Sequence, residues 1–190
     1  GIMAISILFG TTSMLAVTIT FERKSRSFER LLLAPIDLNL LMMAKTTGAI
    51  IFGILNAFVT VVFSLFWVNL SGVNWIPELF SVFLLAITSA FLGLFIAVSV
   101  SEVFEAQTFS NFFRFPMLFL CGLFIPVSQL PLILRPISYI IPLTYGVDIL
   151  KHSINNEGHI QLSVSFLILI VFGLLLFSFS IRNVKRKWII

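Results

Sequence analysis

Few residues in this chain have both the type and the spacing that chemistry requires. His152 and His159 flank Glu157, but a metal centre needs more ligands at helical spacing, so the three read as a solvated loop. Cys121 is the single cysteine, which excludes an intrachain disulfide and a cysteine-based zinc site. It reads as a small apolar residue inside a span, and an intramembrane enzyme would need a base or metal ligands at its depth. Glu102, Glu105 and Arg114 follow a long apolar stretch. Ionic anchoring at a membrane boundary is one reading of them, and a gate or proton relay is another. Asn56, Thr60 and Ser64 recur at i, i+4 and i+8, either to line a path or to hydrogen-bond between helices. No Gly-x-x-x-x-Gly-Lys-Ser/Thr run occurs, so no P-loop for ATP can be drawn.

The elements that carry these residues are apolar. The chain is 59% hydrophobic and 11% charged, with a mean hydropathy of +1.11. A soluble domain has about 25% charged residues, so this composition reads as an integral membrane protein. Five helical spans can be drawn, at about 2–21, 46–70, 79–100, 109–127 and 160–181. Each approaches the ~20 residues that cross ~30 Å of hydrocarbon. The fourth is the least clean, because Arg114 and Pro116 lie inside it. Strict alternation of the kind a membrane barrel shows is missing from all five. The sequence opens apolar at Gly1, with no basic segment of the kind a signal peptide carries. It is expected to be an internal piece, with one upstream span making six.

The cations set an orientation. Loops 22–45, 101–114 and 182–187 hold ten Lys and Arg, and the opposite loops hold only Arg135 and Lys151. The positive-inside bias places the first set, and the C-terminus, in the cytoplasm of a multi-pass cell-membrane protein. The formal charge of +4 therefore points to anionic headgroups rather than to nucleic acid.

The loop at 22–45 divides at Pro35. Ser27–Ala34 can form a short amphipathic helix with Phe28, Leu31 and Leu32 on one face and Ser27 as N-cap. Pro35 ends it. Asp37 then caps the helix that continues into the second span, with Ile36 and Leu41 as a hydrophobic staple. Within the spans, Ala49, Gly53 and Ala57 form one small-residue stripe, and Ser89, Gly93 and Ala97 form another. Such stripes serve as helix–helix seams, within the chain or between copies, or simply reflect membrane composition.

Prolines at 126, 131, 136 and 142 cut the segment 128–159 and its approach into pieces too short to span, which suit re-entrant or interfacial helices. Tyr139 and Tyr145 have rings favoured at headgroup level. Asp148 and Lys151 are placed to pair along a helix.

Two runs carry a family resemblance. Glu22-Arg23-Lys24, Ser27-Phe28-Glu29-Arg30-Leu31-Leu32 and Ala34-Pro35-Ile36 together resemble the first cytoplasmic loop of ABC-2 type transporter permeases. Phe28 and Glu29 stand at the family's Leu-Glu, and Pro35-Ile36 at its Pro-Ile. Arg26 stands where glycine is frequent, which puts the local turn in question. Cys121-Gly122-Leu123-Phe124-Ile125-Pro126, Leu130-Pro131 and Pro142-Leu143-Thr144-Tyr145-Gly146-Val147-Asp148 resemble the family's outer segment, with Ile141 in place of the usual Asn.

The resemblance implies one all-α transmembrane domain over residues 1–190, with an amphipathic coupling helix and short re-entrant outer helices. It implies a permease of an ATP-binding cassette exporter, in a drug-resistance-like branch, moving a drug-like, lipid or polysaccharide substrate. Phe28, Glu29, Arg30, Leu31 and Pro35 would meet the ATP-binding subunit. Gly122, Pro126, Pro142, Thr144 and Tyr145 would form the outer cap. The implied partners are that subunit, a second permease copy and membrane lipids. No cofactor would belong to this chain, because ATP and magnesium would bind the partner. An ATP-independent secondary transporter or channel subunit stands as the alternative, and it would favour ionisable groups deep in several spans.

Overall fold

The computed structural model describes residues 1–32, 37–67, 72–155, 158 and 160–188. Every regular element among them is helical. In chain order they are α1 (Ile2–Lys24), α2 (Ser27–Leu32), α3 (Leu38–Ser64), α4 (Trp75–Ser99), α5 (Val103–Leu120), α6 (Arg135–Ile140), α7 (Pro142–Asn155) and α8 (Leu162–Trp188), with a 3₁₀ turn at Val127–Gln129 before α6. Helices α1, α3, α4 and α8 are long and apolar enough to cross a membrane. The first, second, third and fifth expected spans are therefore present as helices.

The fourth differs from expectation. Its helix starts at Val103 rather than near Phe109, and it ends at Leu120 rather than Val127. The early start comes from a capping box. The Glu102 side chain accepts from the N3 backbone, and Glu105 reaches back to the backbone N–H of Glu102. The early end comes from Gly122, which sits at φ +80 and breaks the helical path. With Glu105 and Arg114 inside, α5 is not among the helices apolar enough to span.

Helix α1 runs through the centre, clasped between α3 and α4 by the two small-residue stripes. A Cβ on Gly53 of α3 would lie 2.0 Å from Thr11 Oγ1, and one on Gly93 of α4 would lie 2.8 Å from the carbonyl oxygen of Thr12. Thr12 also donates its hydroxyl to the carbonyl of Ser89, at 3.2 Å. Both stripes are therefore seams within the chain, where small residues let backbones touch. Asn56, Thr60 and Ser64 are spent on packing: all three donate to carbonyls of α3, and the Thr60 oxygen also meets the hydroxyl of Ser6 of α1 at 3.2 Å. Helix α8 closes the other side of α4, with the rings of Phe91 and Phe177 4.7 Å apart. The outward faces of α3 and α8 expose large apolar side chains such as Leu55, Leu167 and Leu175, as a lipid-facing surface does.

Candidate functional site

At one end of the bundle the cationic segments converge. Arg23, at the end of α1, donates to the last carbonyls of α4, Val100 O at 2.8 Å and Ala97 O at 3.4 Å. These carbonyls have no partner within the helix, and a cation there also answers the helix dipole. Lys24 pairs with Glu102 at 2.5 Å, and Lys45 pairs with Glu22. The ends of α1, α3, α4 and α5 are thereby tied at one level.

Helix α2 is set into this end. Arg26 turns the chain with φ 54, so the position where glycine is frequent keeps the left-handed geometry with an arginine in it. The α2 helix begins at Ser27, whose hydroxyl meets that of Ser25 at 2.9 Å. Phe28 is only 2% exposed. It belongs to a buried cluster with Leu15 and Ile19 of α1, Leu38 and Met42 of α3, and Leu94 of α4. Leu31 is half-buried and Arg30 is exposed. Of the five residues expected to form a coupling surface, Phe28 faces the core and Arg30 faces outward. The Glu29 side chain and Pro35 lie outside what is described, as do Ala34 and the Ile36 of the expected staple. Asp37 caps α3 as expected, accepting from the backbone N–H of Asn39 at 3.2 Å.

The opposite end is built from side chains that tie short helices to backbone carbonyls. Gly122 O accepts from Lys151 Nζ at 2.5 Å. Ser138 of α6 donates its hydroxyl to Leu120 O, at the end of α5. Thr144 donates to Ser138 O at 2.6 Å, and Tyr145 donates to Tyr139 O at 2.7 Å, so α7 caps α6. Burial pushes the Tyr145 phenol above its ordinary pKa, and Tyr139 adds to this, so the phenol stays a neutral donor. Arg135 donates to Leu130 O at 2.9 Å and to Ser128 O at 2.5 Å. Pro142 starts α7 and Pro126 precedes the 3₁₀ turn.

The ten residues 141–150 are all buried. Helix α7 lies inside the bundle against α4, where a Cβ on Gly146 would come within 2.2 Å of Leu85 Cδ2. Gly122, Thr144 and Tyr145 of the outer-cap set thus lie in one set of ties to backbone carbonyls, while Pro126 and Pro142 mark where the 3₁₀ turn and α7 begin. Sequence reasoning did not single out the partners that complete it: Ser138, Gly146, and Arg135 and Lys151 as donors to carbonyls. Asp148 accepts from the backbone N–H of Ile160 at 3.2 Å, so it and Lys151 hold different backbone segments.

These two assemblies, at opposite ends of one helical bundle, lie within the span that matches a family model. That model, described as ABC-2 type transporter, matches residues 1–155. The chain belongs to the ABC-2 type transporter family. Its similarity to curated relatives is more distant. It is 21% identical over 172 residues to the inner membrane transport permease YadH of Escherichia coli (strain K12), covering 90% of this chain and 67% of that protein. It is 29% identical over 119 residues to nodulation protein J of Sinorhizobium fredii, covering 60% of this chain and 45% of that one. Family membership agrees with the resemblance carried by both runs.

Two ionisable residues prove to be buried: Arg114, which the sequence already put inside an apolar run, and Glu78, which it did not single out. Arg114 is not a boundary anchor: it is 1% exposed, deep in α5 and over the Phe9 ring of α1 at 5.0 Å. Its Nη1 donates to Asn111 Oδ1 at 3.4 Å, and its Nε and Nη2 have no hydrogen-bond partner. Glu78, in the first turn of α4, is 5% exposed with Oε2 unpartnered. Each is a lone charge in an apolar stretch, and its burial depends on which neighbour packs over it. Local spacing does not encode that. His152 packs its ring toward Gly158, while Glu157 and His159 lie outside the described residues. Among the described residues no three His, Cys, Asp or Glu side chains group as metal ligands.

Proposed function

We propose that this chain is the permease part of an ATP-driven exporter, set in the cell membrane with its basic end and C-terminus in the cytoplasm. The single observation that carries the reading is α2. It is a six-residue helix plugged by Phe28 into the junction of α1, α3 and α4, with Arg30 turned outward. A push on its outer face reaches three long helices through one buried ring. A partner that binds and hydrolyses ATP shifts the permease between states to the extent that its contacts with α2 differ between them. Glu29, Leu31 and Pro35 complete the surface by analogy with the family, and ATP and magnesium belong to the partner. A second permease copy completes the path. The name of the relative YadH, an inner membrane transport permease, supports a transport role in a membrane; the substrate classes under the reading are drug-like molecules, lipids and polysaccharides.

The test is purification from native membranes in mild detergent, wild type beside Arg30→Glu. Wild type is expected to bring a P-loop ATPase with it, and the exposed charge reversal is expected to lose it at unchanged yield and melting temperature. An ATPase retained fully by Arg30→Glu removes α2 as the coupling surface.

Arg114 gives the ATP-independent alternative a specific footing, because a buried unpaired cation is what a gradient-driven carrier uses. Uptake in nucleotide-free vesicles that follows a proton gradient and vanishes in Arg114→Gln would favour that alternative.

A further inference from the structure

At the end of the bundle away from α2, a cavity of about 570 Å³ opens between the start of α1 and the ends of α3, α4 and α7. Its volume falls within the ~300–1,000 Å³ of small-molecule sites. Phe63, Trp67 and Trp75 supply aromatic surface, and Ile154 adds an aliphatic wall. The polar contribution comes chiefly from Glu78, because the hydroxyls of Thr60 and Ser64 on the α3 side already have partners within the bundle.

Glu78 is what makes this more than an apolar gap. Its side chain is 95% buried by residue exposure, and Oε2 has no hydrogen-bond partner. Ser153 of α7 gives its hydroxyl to Ile149 O at 2.9 Å, and among the described residues no Lys or Arg forms an ion pair with Glu78. An acid that served only the α4 dipole would do so from solvent, where it costs nothing to keep charged. Here a carboxylate with a free oxygen faces an apolar, aromatic space, and burying an unpaired charge is expensive. A ligand that relieves the cost brings a positive charge to Glu78 and an apolar body to the aromatic walls. Aromatic faces themselves attract a cation.

We propose that this cavity binds lipophilic organic cations, with Glu78 as the counter-ion and Trp67 and Trp75 as the aromatic walls. The proposal deepens the exporter reading by naming a substrate class, and it rests on that reading only for what happens after binding.

Tryptophan fluorescence reads the site directly. Trp67 and Trp75 line it, and Trp188 sits at the end of α8 at the other end of the bundle. The complete protein in nanodiscs is titrated with tetraphenylphosphonium, and in parallel with triphenylphosphine oxide, a neutral molecule of similar aryl surface. Saturable quenching by the cation is expected, with the neutral probe binding far more weakly. Glu78→Gln is expected to weaken the cation about thirtyfold or more while leaving the neutral probe unchanged, as removal of a buried charge partner does. Glu78→Asp, which keeps the charge, is expected to fall between.

Equal affinity of wild type for both probes overturns the proposal, whatever the variants do. So does a folded Glu78→Gln protein that binds the cation as wild type does. Because no nucleotide or partner enters this titration, its failure leaves the exporter reading intact. Selective binding without ATP-driven movement of the cation in inverted vesicles upholds the site and overturns the exporter reading instead.

Discussion

The two ends of this bundle hold their short helices by different means. Among its described side chains, helix α2 buries the ring of Phe28, half-buries Leu31 and exposes Ser27 and Arg30. Helices α6 and α7 are attached by a series of side-chain hydrogen bonds to backbone carbonyls, and α7 is buried along its first nine residues. The first arrangement suits a lever, since a single apolar plug transmits force without fixing every contact. The second suits a fixed cap, because each tie satisfies a helix end that would otherwise be orphaned. Under the proposed function, the contrast puts the moving contact at the basic end and the fixed one at the far end.

The contrast can be broken most severely at the plug. Phe28→Ala is expected to cost about 3 kcal/mol or more, as large-to-small changes at buried aromatics do. The fall should appear as a lower melting temperature in detergent together with loss of partner ATPase. At the far end, Gly146→Val drives a side chain into Leu85 and is expected to cost about 1–3 kcal/mol by overpacking. Lys151→Met removes a charge-assisted bond to Gly122 O and is expected to cost about 1.5–3 kcal/mol. Tyr145→Phe removes one neutral bond, for about 1 kcal/mol. If the far end is the fixed cap, Lys151→Met and Tyr145→Phe lower melting temperature while an ATPase still co-purifies. The smallest change has the opposite sign. Arg26→Gly relieves a left-handed backbone that costs an L-residue about 1–2 kcal/mol, less glycine's greater unfolded-state entropy, so a slight rise in melting temperature is expected.

Much of this was legible in the residues. The long helices followed from runs of apolar residues, the Asp37 cap from its place before a periodic stretch, and the cap network's location from its prolines. The seams were legible as small-residue stripes, but not which helix they would clasp. Proximity of α1 to both decides that, and proximity is tertiary. The fourth span was misplaced because apolarity outweighed the Glu102–Glu105 capping box and the Gly122 break in the reading. Phe28 was placed on the apolar face of a short helix, yet which way that face turned depends on the cluster of Leu15, Ile19 and Met42 beneath it. Arg114 was legible as a charge inside an apolar run and Glu78 was not singled out, but the burial of each is set by residues distant in sequence.

The most direct measurement compares the two ends in one experiment. Cysteine is introduced at Arg30 on α2 or at Ile133, which is 84% exposed at the far end, and each is cross-linked in native membranes. The native Cys121 is buried and leaves the background low. The account predicts that Arg30→Cys forms an adduct with a P-loop ATPase and that Ile133→Cys does not. No ATPase adduct from Arg30→Cys, or the same adduct from both positions, would contradict it.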